Sequence, residues 1–325
     1  MSSIFHNPSV PVVASGRRPV TKVLVDGQTT KFCQSTTDGY ETESVIIPMG
    51  ARDKTWNTLC VSSQVGCARA CTFCQTGRMG LIRNLTVEEI VDQATAARLE
   101  LHAAIRNVVF MGMGEPMDNL DNVIRTIEIF HTDRHNPIAR RRITVSTVGK
   151  CSGIRRLAQL RWKRLGLAVS LNASNDAVRS QIMPINQLEP MAELRKAIAD
   201  YPVRAGGHVL IEYVLIKGLN DQIEHARELT HYLSGLPTCV NLIPWNAVEG
   251  VAFETPDDET VDAFQLTLMN AGQLAFRRNT KGRAASGACG QLGNAELRRR
   301  TAEIAGKGTT RIGTATGLRI GHRGF

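Results

Sequence analysis

The chain has 325 residues, of which 42% are hydrophobic, and it carries a formal net charge of +9. That length and composition suffice for one large hydrophobic core, and no run of about eighteen apolar residues predicts a transmembrane helix. The first residues lack the apolar stretch of a secretory signal, so we expect a cytoplasmic protein without a membrane partner.

The positive charge is concentrated towards the two ends of the chain. Residues 1–22 contribute +3 and residues 298–325 contribute +6, so the segment between them is neutral overall. Both ends are poor in large apolar residues, and we predict that 1–22 and 298–325 are disordered basic tails. Basic tails suit a polyanion such as RNA, although a merely solvated surface is the alternative.

Residues 23–56 predict a small N-terminal β extension. The stretch "TKVLVDGQTTKFC" alternates around an Asp-Gly turn, and "ETESVIIP" is a second strand candidate.

The pattern changes in residues 57–297, where strand, loop and helix repeat. Six apolar segments are predicted strands, and helical periods separate them: "TLCVSS", "NVVFMGMG", "ITVSTVG", "LGLAVSL", "HVLIEYVLI" and "CVNLIP". Such strands are typical of parallel β structure covered on both faces. We therefore predict an α/β fold with a partial (β/α)6 TIM-like barrel, an open doubly wound sheet being the alternative. Functional residues are expected at the carboxyl ends of its strands.

Three cysteines follow the first of these strands with the spacing C-x-x-x-C-x-x-C: Cys67, Cys71 and Cys74. Structural zinc normally takes four protein ligands, so a lone triplet suits it poorly. A [4Fe-4S] cluster has four irons, and three thiolates would leave one iron open for another ligand. The triplet therefore predicts an iron–sulfur site. Zinc with a distant fourth ligand and a metal-free loop are the alternatives.

This spacing resembles the radical S-adenosylmethionine (SAM) superfamily, in which the open iron binds the amino and carboxylate groups of SAM. Glu115 follows the glycines of "MGMGEP" at the end of the second strand, where it is placed to accept a hydrogen bond from the SAM ammonium group. Taken singly, polar residues at strand ends are typical of caps and turns. The predicted SAM-binding residues are Gly114, Glu115, Ser146, Ser170, Leu171, Asn172 and Asn246.

Two further cysteines stand apart from the triplet. Cys289 lies in "RAASGACGQL", a small, glycine-rich segment with cationic neighbours, which is the setting of a reactive thiol. Cys60, on the first strand, is by itself typical of a buried core cysteine. We interpret Cys33, Cys151 and Cys239 as structural.

Several segments together resemble the RlmN/Cfr family of radical SAM RNA methyltransferases over roughly residues 40–295. They include "TLCVSSQVGCARACTFC", "VVFMGMGEPMDNLDNV", "VSTVG", "LAVSLNA", "YVLIKGLND", "NLIPWN" and "ACGQL". The resemblance implies methylation of an adenine ring carbon, C2 before C8, in ribosomal or transfer RNA. It also implies a [4Fe-4S] cluster, SAM and a flavodoxin- or ferredoxin-type electron donor, and we expect a monomer.

The resemblance also implies residue roles. One SAM would methylate Cys289, and a second would be cleaved to a radical that removes hydrogen from the new methyl group. The carbon radical would add to the base, and Cys60 would then form a disulfide with Cys289 and release the product. Glu43 would be the proton acceptor, with Glu41 as its competitor.

The chain departs from the family pattern at three places. The segment before Cys60 offers only the β extension where bacterial members carry a helical domain, and Asn172 stands where the family usually has His. The loop after "NLIPWN" lacks the usual proline-rich continuation. The RNA class therefore stays open. The alternatives are a paralogue acting on C8 or on another RNA, and a non-catalytic iron–sulfur RNA-binding protein.

Overall fold

The computed structural model describes residues 18–51, 54–278 and 281–293. Twelve strands occur in these ranges: β1 (Val20–Asp26), β2 (Thr29–Ser35), β3 (Glu41–Ala51), β4 (Lys54–Cys60), β5 (Gln64–Cys67), β6 (Gly80–Asn84), β7 (Ile105–Phe110), β8 (Ile143–Thr147), β9 (Gly166–Ser170), β10 (Val209–Leu215), β11 (Thr238–Pro244) and β12 (Leu274–Arg277). Seven helices lie between them: α1 (Val87–Leu99), α2 (Leu120–Thr132), α3 (Cys151–Gln159), α4 (Asp176–Ile182), α5 (Met191–Ala199), α6 (Ile223–Leu233) and α7 (Asp258–Asn270).

Ten of these strands form one sheet in the order β1-β2-β3-β4-β7-β8-β9-β10-β11-β12. From β4 to β12 every neighbouring pair is parallel, and helices connect the strands. The six predicted parallel strands are confirmed, together with a partial TIM-like α/β fold. The short strand β12 adds a seventh parallel strand, and helix α4 adds an element that the sequence did not predict.

The N-terminal strands continue this sheet rather than standing beside it. Strands β1, β2 and β3 are antiparallel to one another, and β3 pairs antiparallel with β4. The sheet therefore runs without a break through the boundary predicted after residue 56, which falls inside β4. Strand β1 begins at Val20, within the predicted N-terminal tail, while residues 1–17 and 294–325 of the predicted tails lie outside the described residues.

Strand β7 shows how a parallel strand separates two environments. On β7, Val108 and Phe110 are fully buried in the main core that the helices cover. The alternate residues Asn107 and Val109 are only half-buried and line a cavity inside the barrel. Successive side chains of a strand point to opposite faces, so one face packs under the helices and the other lines an open interior.

Residues 281–293 run from β12 back to the N-terminal strands and close the gap between the two edges of the sheet. Lys281 Nζ donates to the Pro48 carbonyl at 2.5 Å, and the Ala284 amide donates to Asp26 Oδ2 at 2.9 Å. At the other end of the segment, the Gly293 amide donates to Glu43 Oε2 at 2.8 Å. The segment that carries Cys289 is thus part of the barrel wall.

In the ranges that the structure describes, none of the helices is long and apolar enough to cross a membrane.

Candidate active site

The cysteine loop begins where β4 ends and folds over the carboxyl end of the barrel. Cys67 is the last residue of β5, and Cys71 and Cys74 follow in the turns before the 3₁₀ helix Thr76–Met79. The loop is tightly packed at Gly66, whose φ is +76°, because a Cβ there would lie 1.9 Å from the Gly80 carbonyl oxygen. Only glycine therefore fits where β5 meets β6.

The three thiols are electrostatic neighbours. Burial raises the pKa of Cys67 to about 12 and that of Cys71 well above its usual value, and the Cys74 thiol raises both further. Burial likewise raises the pKa of Cys74. Without a metal these side chains are neutral thiols, and a metal would bind them as thiolates with release of protons.

Three neighbouring cysteine thiols are a donor set that fits an iron–sulfur cluster. In the described part of the chain, no three His, Cys, Asp or Glu side chains are positioned to hold a metal ion directly. Cys71 and Cys74 line a cavity of about 150 Å³ at the carboxyl end of the barrel, whereas Cys67 does not.

All but one of the predicted SAM-binding residues line the same 150 Å³ cavity. Gly114, Glu115, Ser146, Ser170, Asn172 and Asn246 line it, and they come from the carboxyl ends of β7, β8, β9 and β11. Leu171 is fully buried outside it, where its amide donates to the Glu212 carbonyl at 3.0 Å. Leu171 therefore fixes the backbone beside the cavity rather than lining it.

Glu115 is a buried carboxyl group at the wall of this cavity. Its Oε1 accepts from the Met117 amide at 3.0 Å, and its Oε2 accepts from the Val148 amide at 2.8 Å. Burial raises the pKa of Glu115 to about 7 despite these bonds. Each carboxyl oxygen keeps a second lone pair, so the group can still accept from a ligand ammonium.

The two asparagines among the predicted SAM-binding residues make different hydrogen bonds. Asn172 has a φ of +57°, and its Oδ1 accepts from the Val214 amide at 2.9 Å, so it bridges β9 and β10. Asn246 Nδ2 donates to the carbonyl of Cys289 at 3.1 Å. Asn246 thus ties the end of β11 to the segment that carries Cys289.

Cys60 and Cys289 meet in a second, larger cavity of about 530 Å³, which occupies the barrel interior. Cys60, the last residue of β4, lines this cavity, whereas Cys289 lines both cavities. Burial raises the pKa of Cys60 to about 12, and Cys289 raises it further. Both cysteines are free thiols, brought together across 229 residues of sequence (289 minus 60).

Glu43 lies beneath the Cys289 segment and lines neither cavity. Its Oε2 accepts from the Gly293 amide and pairs with Lys31 Nζ at 3.0 Å, while its Oε1 has no hydrogen-bond partner among the described residues. Lys31 Nζ also donates to the Ser286 carbonyl at 3.1 Å. Glu41, the competing carboxylate, instead accepts from Thr21 Oγ1 at an exposed position.

The sequence reasoning missed two charged residues that line both cavities. Glu212 and Arg278 line both cavities, and Glu212 Oε2 accepts from Asn241 Nδ2 at 2.7 Å. Burial raises the pKa of Glu212, and the negative potential of Cys289 raises that of Arg278. Glu212 could have been predicted as a site residue, because it is a carboxylate inside the apolar strand "HVLIEYVLI". Arg278 could not, because no sequence feature distinguishes it from the basic residues beside it.

Fold and site together are those of a radical SAM enzyme, and residues 61–230 match the radical SAM superfamily. The chain is 48% identical over 283 residues to a probable dual-specificity RNA methyltransferase RlmN 1 of Protochlamydia amoebophila, covering 87% of this chain and 78% of that protein. It is 45% identical over 264 residues to the dual-specificity RNA methyltransferase RlmN of Geobacter sulfurreducens, covering 81% and 71%. The chain belongs to the RlmN/Cfr family of radical SAM RNA methyltransferases.

A solved structure supports the same assignment. The crystal structure of a radical SAM methyltransferase from Sphaerobacter thermophilus is 41% identical and superposes with a TM-score of 0.79, covering 85% of this chain and 81% of that one.

Proposed function

We propose that this RNA methyltransferase adds a methyl group to an adenine ring carbon, C2 in the first place, through a methylated Cys289 and a transient disulfide with Cys60. The observation that carries the proposal is the position of Cys289. It lines the small cavity beside Cys71 and Cys74, and it also lines the large cavity together with Cys60. One thiol can therefore face a methyl donor on one side and an RNA base on the other.

Cys67, Cys71 and Cys74 would hold the [4Fe-4S] cluster, which when bound supplies the electron that cleaves SAM to a 5′-deoxyadenosyl radical. The residues around the small cavity bind and orient SAM, with Glu115 accepting from its ammonium group. Cys289 Sγ accepts the methyl group that becomes the new carbon on the base. A radical route suits this substrate, because an aromatic C2 carbon is a poor nucleophile for direct methyl transfer.

Cys60 and Glu43 complete the reaction after the base is bonded to Cys289 through the methylene carbon. The adduct formed by addition of the methylene radical to the ring carries an unpaired electron, which would return to the cluster. Glu43 takes the proton from the substituted ring carbon, so that the ring becomes aromatic again, and this requires the Cys289 segment above Glu43 to shift. The Cys60 thiolate then attacks Cys289 Sγ, so that an S–S bond forms as the C–S bond to the product breaks. The electron pair goes to the methylene carbon, which takes up a proton and becomes the methyl group.

The partners follow from this chemistry. The substrate is ribosomal or transfer RNA, the electron donor is a flavodoxin- or ferredoxin-type protein, and the chain acts as a monomer in the cytoplasm. The disulfide left after each turnover requires reduction by a thiol–disulfide exchange partner.

Nucleoside mass spectrometry tests the proposal. Anaerobic, cluster-reconstituted protein is given methyl-labelled SAM with unmodified ribosomal RNA or, separately, transfer RNA. We expect labelled 2-methyladenosine, while a Cys289→Ala variant should cleave SAM without labelling RNA and a Cys239→Ala control should behave as wild type. Labelled 8-methyladenosine would contradict the choice of C2. Absence of label from protein that cleaves SAM would overturn the proposed function.

A further inference from the structure

A buried ion pair lies beneath the segment 281–293, which carries Cys289. Lys31 Nζ is 3.0 Å from Glu43 Oε2, and the two side chains are 1% and 0% exposed. Among the described residues, Lys31 is the one cation within ion-pair distance of Glu43. Cys33 faces Glu43 across β2 and β3, but burial, and then the charge of Glu43, raises the pKa of this thiol to about 12, so it is neutral. Lys31 is therefore the group that balances the charge of the carboxylate.

The two carboxylate oxygens of Glu43 have different surroundings. Oε2 accepts from the Gly293 amide at 2.8 Å and is also the oxygen paired with Lys31. Oε1 is buried and has no hydrogen-bond partner in the part of the chain that the structure describes. A carboxylate stays ionised away from water only where an opposite charge or hydrogen bonds compensate it. Here the compensation is all on Oε2, which leaves Oε1 free to take up a proton.

The ion pair belongs to the sheet, whereas the bonds above it belong to the segment. Lys31 is opposite Val45 in the register of β2 and β3, so Glu43, two residues from Val45, lies on the same face at the diagonal position. Lys31 Nζ also donates to the Ser286 carbonyl at 3.1 Å. If the segment moves away, the bonds to Ser286 and Gly293 break, but the ion pair stays on its two strands. Glu43 thus keeps its counter-charge after the segment has shifted.

We propose that Lys31 is a positioning residue that keeps Glu43 ionised and holds its Oε2, so that Oε1 accepts the proton from the substituted ring carbon. In this step the C–H bond breaks, an O–H bond forms at Oε1, and the electron pair of the C–H bond stays in the ring. A protonated carboxyl group could not take up the proton, so removal of Lys31 should stop the reaction at the adduct between Cys289 and the base. This inference rests on the proposed function and assigns a role to a lysine that lines neither cavity.

Infrared difference spectroscopy of the cofactor-free protein tests whether Lys31 keeps Glu43 ionised. Each spectrum is recorded at about pH 8, where ordinary carboxyl groups are ionised, and the spectrum of the same protein with Glu43→Gln is subtracted, so that only Glu43 bands remain. We expect carboxylate bands in wild type and in Lys31→Arg, and the C=O band of a protonated acid in Lys31→Met. A carboxylate in folded Lys31→Met would overturn the proposal. A protonated acid in wild type would overturn it even if Lys31→Met failed to fold.

Single-turnover methylation tests the consequence for the reaction. In Lys31→Met molecules that carry a methylated Cys289, release of methylated RNA should slow at least about 100-fold, which is the contribution of a general base. The accumulated adduct should give an organic radical signal in electron paramagnetic resonance, and deuterium at the target carbon should narrow that signal. Lys31→Arg should release product, and the control Lys217→Met, from an exposed ion pair, should behave as wild type.

The two measurements separate this inference from a structural defect and from the proposed function. A defect confined to folding would lower the methylated fraction of Cys289 but leave the release rate per methylated thiol unchanged and give no radical signal; that result in Lys31→Met would overturn the inference. Wild-type protein that labels no RNA would overturn the proposed function, and the infrared spectra would still decide whether Lys31 keeps Glu43 ionised.

Discussion

Replacing Lys31 by Met should destabilise the protein far more than the loss of an ordinary surface charge. The side chains of Lys31 and Glu43 are 1% and 0% exposed, and their charged atoms lie 3.0 Å apart. Lys31→Met would leave the Glu43 carboxylate buried with one amide donor, from Gly293. Breaking a buried pair from one side costs about 3–5 kcal/mol. The Ser286 carbonyl would lose its partner as well, so the Cys289 segment should loosen.

Urea unfolding followed by tryptophan fluorescence measures this loss. We expect the midpoint to fall at an unchanged slope, which identifies a change in stability rather than in compactness. Lys217→Met is the control, because Lys217 and Glu254 form an exposed pair that contributes less than about 1 kcal/mol. A Lys31→Met/Glu43→Leu variant should recover most of the loss. A single variant that loses under about 1 kcal/mol, or a double variant as unstable as the single one, would refute the reasoning.

Three more predictions concern the site. Cys60→Ala should trap protein covalently joined to RNA, visible as a slow band on a denaturing gel; release of free methylated RNA would remove its proposed role. The contribution of Glu115 to stability is fully present below its unfolded pKa of about 4.5 and lost as pH rises through about 7. Between pH 4 and pH 8, Glu115→Gln should therefore gain about 3 kcal/mol relative to wild type in unfolding experiments, and parallel pH profiles would contradict this. Gly66→Ala should lower the free energy of unfolding by at least about 2 kcal/mol and reduce the iron bound on reconstitution. The control is Gly39→Ala, at positive φ in open space, which should cost about 1 kcal/mol of stability and leave iron binding intact. Equal losses in the two variants would contradict the packing argument.

The sequence predicted the parallel strands because each is a long apolar run bounded by turns. Strand β12 was missed because it has only four residues, and its Leu274 and Phe276 are exposed, so no burial pattern marks it. Helix α4 has seven residues and is held by the Asn175 cap, which is too little for a helical period to be recognised.

Candidate site residues could be predicted where they belong to one local motif. They could not be predicted where segments distant in sequence come together. The Cys67 loop and the strand-end residues stand on local patterns, and the structure brings most of them to one cavity. The pair Lys31–Glu43 and its bond to Ser286 join segments that are 255 residues apart, and no local pattern encodes that meeting. The proximity of Cys60 to Cys289 was implied by the family resemblance alone.

The segment 281–293 closes the barrel and carries Cys289, the methyl acceptor of the proposed mechanism, so closure of the barrel and placement of this thiol depend on the same contacts. If this segment fails to dock on Pro48, Asp26 and Glu43, the interior opens to water, and Cys289 is withdrawn from both cavities at the same time. In the proposed mechanism, an incompletely folded chain would therefore lack the thiol that accepts the methyl group.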